Sequence, residues 1–253
     1  MNKDLLVARL NLHAVLQNIE DLVRLDPEMA EVSRSWNTSI QFSVFRGPAA
    51  YLEFKNGFCR HGVGVHPSPS IRLFFLSPGH LNRMFRNESM PIPLKGFKQL
   101  GFLKTDFAKL TARLEYYLKP ASPMPEDPVY ITIRTTMLLN TAVHAARELA
   151  LLEPTCMKVA AATPAGVLQI GVLPDGPYAH LSMASGAVTA AKGPATKPSA
   201  TMTFRDTRAA HALLSGEQDS FLAVAEGEVL LHGLLPMIDN IGLIFDRVEK
   251  YLA

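Results

Sequence analysis

The sequence predicts an α/β protein of the α+β type, made of two copies of one module of about 120 residues each. Three observations predict it. Helix, strand, turn and cap signals recur twice in the same order along the chain. The second set matches the first at an offset of 129 that holds without a gap for about 40 positions. Between the sets lies Lys119-Pro120-Ala121-Ser122-Pro123-Met124-Pro125-Glu126-Asp127-Pro128, with four prolines in ten residues. That density makes a stiff, extended spacer. The modules are expected to span residues 1–122 and 123–253.

Each module opens on a helix, expected over residues 5–25 and 133–152. Leu12, Leu16, Ile19 and Leu22 recur at helical spacing, and Leu139, Val143, Ala146 and Leu149 repeat them at an offset of 127. Asp26-Pro27 and Glu153-Pro154 stop both helices, because the residue before a proline is pushed out of the helical region. Val129 to Thr135 is β-branched and reads equally as the start of a strand. Residues 40–45 and 168–173 then read as strands, followed by a Gly47-Pro48 and a Gly176-Pro177 turn. Leu52 and Leu181, Gly57 and Gly186, Pro69-Ser70 and Pro198-Ser199, and Phe75 and Phe204 hold the match.

A short helix follows in each copy. Ser77 and Asp206 stand where an N-cap acceptor belongs, and Asn87 and Gly216 where a left-handed C-terminal residue belongs. Strands are expected over 92–97 and 228–234, and closing amphipathic helices over 105–118 and 239–252. Each copy therefore reads helix, three or four strands, helix, strand, helix.

Composition narrows the function classes. Hydrophobic residues make up 48% and charged residues 19% of the 253, which suits a protein with a sizeable core. No apolar run approaches the ~18 residues a transmembrane helix needs. Met1-Asn2-Lys3-Asp4 lacks the cationic start and apolar middle of a secretion signal, and Tyr251-Leu252-Ala253 is not a peroxisomal address, so the cytoplasm is the expected location. Two cysteines, Cys59 and Cys156, make no disulfide framework and no multi-cysteine metal site. The formal charge is +2, but residues 1–122 carry 16 basic and 10 acidic side chains against 9 and 13 in residues 123–253.

Candidate chemistry is sparse. His61 and His66 flank Gly62-Val63-Gly64-Val65 without a carboxylate or cysteine cluster, so no metal site is expected. His80 and Arg83 lie one turn apart, and His211 occupies a nearby slot in the second copy. The histidines are read as surface residues. The glycines from Gly57 to Gly64 fit a hairpin, with no phosphate-loop pattern, and Cys59 reads as a partly buried structural cysteine. Arg83, Arg86, Lys95, Lys98, Lys104 and Lys109 interleave with Phe85, Phe97, Phe102 and Phe107. That segment reads either as a patch for a transient acidic membrane surface or other acidic partner, or as solvated faces over core aromatics. No nucleic-acid-binding motif frames it.

The second copy is rich in apolar side chains around its short helix, following strand and last helix, which serve a packed core and a cavity equally well. The run from Ala200 through Phe204, Asp206 and Leu213-Leu214-Ser215-Gly216, then Gly227 to Gly233, resembles the sterol carrier protein-2 family. Ser77 to Glu88 and Pro93 to Gly96 look like a more divergent version. The resemblance implies two tandem domains, each a twisted, mostly antiparallel sheet of about five strands covered by helices. It also implies an apolar pocket for a lipid, fatty acyl chain or sterol-like molecule, with no shared catalytic residues and no cofactor. A scaffold whose cavities have collapsed is the alternative reading, and a lipid-acting enzyme a more distant one.

Residues 1–122 hold 10 of the 13 phenylalanines, with Phe54 against Met183, Phe58 against Ala187, Phe74 against Thr203 and Phe85 against Leu214. The first copy is therefore expected to fill its own interior and the second to hold the pocket. The expected apolar lining is Met183, Met202, Phe204, Leu213, Leu214, Phe221, Leu222, Leu230, Leu234, Met237, Ile241 and Phe245.

Overall fold

The computed structural model describes residues 2–119, 123–184 and 187–252. The chain divides into two compact units, Asn2–Met124 and Pro125–Ala253. The expected boundary at Ser122 and Gly186 of the repeat alignment both lie outside the described residues.

The first unit begins with α1 (Lys3–Leu10), a π-helical turn (Asn11–Val15), α2 (Asn18–Leu25) and α3 (Pro27–Ser33). The sheet follows as β1 (Asn37–Val44), β2 (Ala49–Lys55), β3 (Phe58–Val63) and β4 (Ile71–Phe75). Then come α4 (Pro78–Phe85), β5 (Ile92–Lys95), a 3-10 turn (Phe97–Gln99), α5 (Leu100–Lys104) and α6 (Asp106–Leu118). Strand order is β3-β2-β1-β4-β5, with β1 and β4 parallel and every other pair antiparallel. Alternation sets the buried face: Ile40 and Phe42 of β1 stand beside Leu52 and Ala50 of β2, and beside Ile71 and Leu73 of β4.

The second unit repeats the plan. Its elements are α7 (Pro128–Leu152), α8 (Pro154–Ala162), β6 (Gly166–Val172), β7 (Tyr178–Ala184), β8 (Ala187–Lys192) and β9 (Ala200–Phe204). They continue with α9 (Thr207–Leu214), α10 (Ser220–Ala225), β10 (Val229–Gly233) and α11 (Leu235–Leu252). Strand order is β10-β9-β6-β7-β8, again with one parallel pair, β6 and β9. Leu168 and Ile170 take the places of Ile40 and Phe42, beside Leu181 and Ala179 on one flank and Ala200 and Met202 on the other.

The matched caps form as read. Ser77 Oγ accepts the His80 N–H at 3.1 Å, and Asp206 Oδ1 accepts the Ala209 N–H at 2.9 Å. Asn87 and Gly216 have φ of 61° and 77°. Gln41 and Gln169, at the same place in β1 and β6, each pin the loop after the hairpin by accepting a backbone N–H, from His66 at 2.6 Å and Ala195 at 2.8 Å.

Several expectations need correction. Residues 5–25 are not one continuous helix, because the π turn adds a residue to the helical repeat. Asp26-Pro27 and Glu153-Pro154 end one helix and start another. Each acid caps the next helix, accepting from Met29 N at 2.9 Å and Cys156 N at 2.7 Å, and proline takes the first position, where no N–H is needed. Val129 to Thr135 is helical within α7, and α11 begins four residues before Asp239. The first-copy strand ends at Lys95 because Gly96 turns the chain with φ of 91°.

The same two acids hold the closing helices. Asp26 Oδ2 accepts from Arg113 Nε at 2.7 Å and from the Tyr117 hydroxyl at 2.8 Å, both on α6. Glu153 Oε1 accepts from Arg247 Nη2 at 2.6 Å on α11, with Tyr251 four residues further along the same helix. Arg113 and Tyr117 lie four residues apart on one helix face, so both reach the one carboxylate of Asp26.

Candidate functional site

The candidate site is a recess in the second unit of about 320 Å³, partly open to solvent. Ala160, Ala161 and Thr163 border it from α8 and the residue after it, Ala165 from the approach to β6, and Met183, Ala184, Ala187 and Val188 from the β7–β8 hairpin. Met183 and Val188, paired across the hairpin, are buried, while Ala161, Ala165, Ala184 and Ala187 are exposed. Small side chains border the recess, and none but Thr163 carries a polar side-chain group. That size is at the low end for small-ligand pockets.

The corresponding place in the first unit is packed with rings. Trp36 is the residue before β1, as Ala165 is the residue before β6. Trp36 meets Phe54 edge-on at 5.3 Å and Phe102 at 5.2 Å, and Phe54 lies 6.4 Å from Phe102. Phe54 stands where Met183 stands in the second unit, and Phe58 where Ala187 stands. Trp36 and Phe54 are buried. Phe102 comes from α5, between β5 and the closing helix. In the second unit β10 runs almost directly into α11.

The twelve residues expected to line a pocket fall into three groups. Met183, Phe204, Met237 and Ile241 are buried in the core. Met202, Leu213, Leu214, Leu234 and Phe245 are half-buried. Phe221, Leu222 and Leu230 are exposed, Phe221 by 85%. Met183 alone also borders the recess. Of the other eleven, Phe221, Leu222 and Leu230 lie at the opposite edge of the sheet, where α10 packs against α9 and β10, whereas Met237 of α11 lies against Gly166 at the start of β6. Sequence reasoning missed the alanine run at 160–165; its signal was the absence of any bulky residue where the first copy has tryptophan.

The reading of the histidines as surface residues fails for His13, His80 and His211, which are buried. His80 Nδ1 accepts the Leu76 N–H at 3.2 Å, Nε2 lies 2.9 Å from the Met90 carbonyl oxygen, and the ring meets Phe75 edge-on. His211 Nε2 accepts from Arg134 Nε at 3.1 Å. Burial, and then the Arg134 guanidinium, hold its pKa below the ordinary histidine value, so it stays neutral as an acceptor. Cys59 is half-buried and Cys156 fully buried. Burial and the adjacent Glu153 carboxylate push the Cys156 thiol up to about 12, the opposite of what a nucleophile needs. Among the described residues, no group of three or more His, Cys, Asp or Glu side chains is placed to hold a metal ion. Among them, too, no helix is long and apolar enough to cross a membrane.

No family model matches the chain, and no curated protein does. Several solved structures are similar to half of it. A protein described as "UbiJ-SCP2 Ubiquinone synthesis protein" is 16% identical over 49% of this chain and 99% of its own, with a TM-score of 0.32. The sterol carrier protein domain 2 of Helicoverpa armigera is 14% identical over 45% of this chain and 89% of its own, with a TM-score of 0.35. Sterol carrier protein 2 like 2 from Aedes aegypti is 15% identical over 42% of this chain and 94% of its own, with a TM-score of 0.30.

Proposed function

We propose that the second unit binds, and passes on, an apolar molecule such as a lipid, fatty acyl chain or sterol-like compound, without catalysing a reaction. One observation carries this reading: the second unit leaves open the space that the first unit fills with Trp36 and Phe54. Two copies of one fold differ there by ring against alanine or methionine, and the difference produces a recess. An acyl chain laid over the exposed Ala161, Ala165, Ala184 and Ala187 would remove water from both partners, at roughly 25 cal/mol per Å² of apolar surface buried. The sequence resemblance from Ala200 to Gly233 implies the same class of ligand. The exposed Phe221, Leu222 and Leu230 offer a second apolar surface in this unit, at the other sheet edge.

Native mass spectrometry of the purified protein, followed by titration with a fluorescent fatty acid, tests the reading. Bound lipid, or saturable binding by the stripped protein, is expected. Ala165→Trp places before β6 the ring that Trp36 supplies before β1 and is expected to weaken binding about tenfold or more, equivalent to about 1.4 kcal/mol. Leu230→Ser probes the opposite edge and is expected to leave affinity within about twofold if the recess is the site. A clean apo mass with no fatty-acid binding would overturn the proposal in favour of a scaffold.

A further inference from the structure

The two units carry apolar surface at the same place in the fold and surround it with opposite charge. In the first unit, edge strand β5 and the residues beside it expose Met90 by 80%, Leu94 by 52% and Phe97 by 63%. Ile92 and Leu94 share one face of the strand by alternation. From Ser89 to Thr105 the chain has no acidic residue, and it contributes Lys95, Lys98 and Lys104, all exposed. Lys95 is held in place by its Nζ donating to the Pro69 carbonyl at 2.6 Å. In the second unit, β10 and its flanking helices expose Phe221, Leu222, Leu230 and Leu235. From Ala209 to Asp246 that unit has no Lys or Arg and has six acids, beginning with Glu217 and Asp219.

We infer that the β5 segment of the first unit docks the protein on an anionic lipid bilayer. Exposed apolar side chains enter the interface while flanking lysines meet acidic headgroups, a pair of weak signals that together hold a peripheral protein. Charge complementarity selects this partner. The matching patch of the second unit has the apolar part with acids in excess, its neighbouring Arg205 being already paired with Asp206 and Glu228, so the same surface would not attract it. Strand addition by another chain is disfavoured, because β5 is four residues long, has a bulge in its pairing and contains Pro93, which has no N–H to donate. The inference does not depend on whether the second unit holds a ligand.

Flotation of the whole chain with vesicles tests it. Binding is expected to vesicles of phosphatidylcholine with phosphatidylglycerol, to weaken with salt, and to be much weaker with phosphatidylcholine alone. Lys98→Glu with Lys104→Glu is expected to weaken partition roughly 30-fold or more. Lys158→Glu with Lys197→Glu, an equal charge change on exposed lysines of the second unit, is expected to leave it within about twofold. Phe97→Ser with Met90→Ser is expected to reduce binding at fixed charge. Absence of flotation, or equal losses in the two lysine variants, would overturn the inference. So would salt-sensitive self-association without lipid that Lys98→Glu with Lys104→Glu abolishes, since the patch would then belong to a second copy.

Discussion

Gly96 and Gly233 end the matched strands β5 and β10 with φ of 91° and 89°. A Cβ at Gly233 would stand 2.3 Å from the Ser199 carbonyl oxygen, and one at Gly96 2.9 Å from that of Ser70. Gly216 also has positive φ, but nothing lies within 4 Å of its absent Cβ. Gly233→Ala is therefore expected to cost about 3 kcal/mol or more, against about 1–2 kcal/mol for Gly216→Ala, where only the left-handed backbone is strained. Urea unfolding of the two variants checks the ordering; equal costs would refute the steric account. The carboxylate of Asp26 gives a pH signature. Burial raises its pKa, but the Met29 N–H, the Tyr117 hydroxyl and Arg113 outweigh burial and hold it below the usual value. A folded-state pKa below the unfolded one contributes stability above the unfolded value, about 4, that fades as pH falls through the folded value. Asp26→Asn should flatten the loss of stability in that acidic range, read as urea midpoints against pH. The clamp was only half legible in the sequence. The acid-Pro pair was matched between the copies, but Arg113 pairs with a residue 87 positions away, a distance no local pattern reports.

At the scale of elements, signals that act within a few residues were the readable ones. Ser77 and Asp206 were recognisable as caps because their partners lie three residues on. Replacing either with Ala should cost about 1 kcal/mol, measured as a fall in urea midpoint, while Ser77→Asp should cost little. Helices α3 and α8 were not read because proline was taken only as a stop, although an acid followed by proline also satisfies a helix start. The buried histidines were misread for a different reason. His80 is covered by the loop carrying Met90, and His211 by α7, and neither cover can be inferred from the residues beside them in the chain.

For the whole molecule, the repeat made the architecture legible: both units place the parallel partner of their first strand on one flank and the hairpin on the other. The difference in ring content between the copies was legible as phenylalanine usage, but the position of the recess was not. The apolar residues of the second copy drew attention to α9, β10 and α11, whereas the recess lies against α8 and the β7–β8 hairpin, where the informative residues are alanines. Alanine leaves no positive mark in a sequence; Ala165 becomes informative only against Trp36 at the matching place in the other copy. Hydrogen exchange with and without a saturating fatty acid separates the two locations within one chain. A ligand in the recess should slow exchange in residues 156–165 and in the described parts of β7 and β8, because covering the hairpin suppresses local opening. A ligand at the opposite edge should instead protect residues 207–235. The aromatic-filled unit serves as the internal reference, and its residues 36–63 should exchange at the same rate in both samples. Protection of 36–63 equal to that of the second unit would mean that the rings around Trp36 do not exclude ligand, and the account of how the copies differ would fall with them.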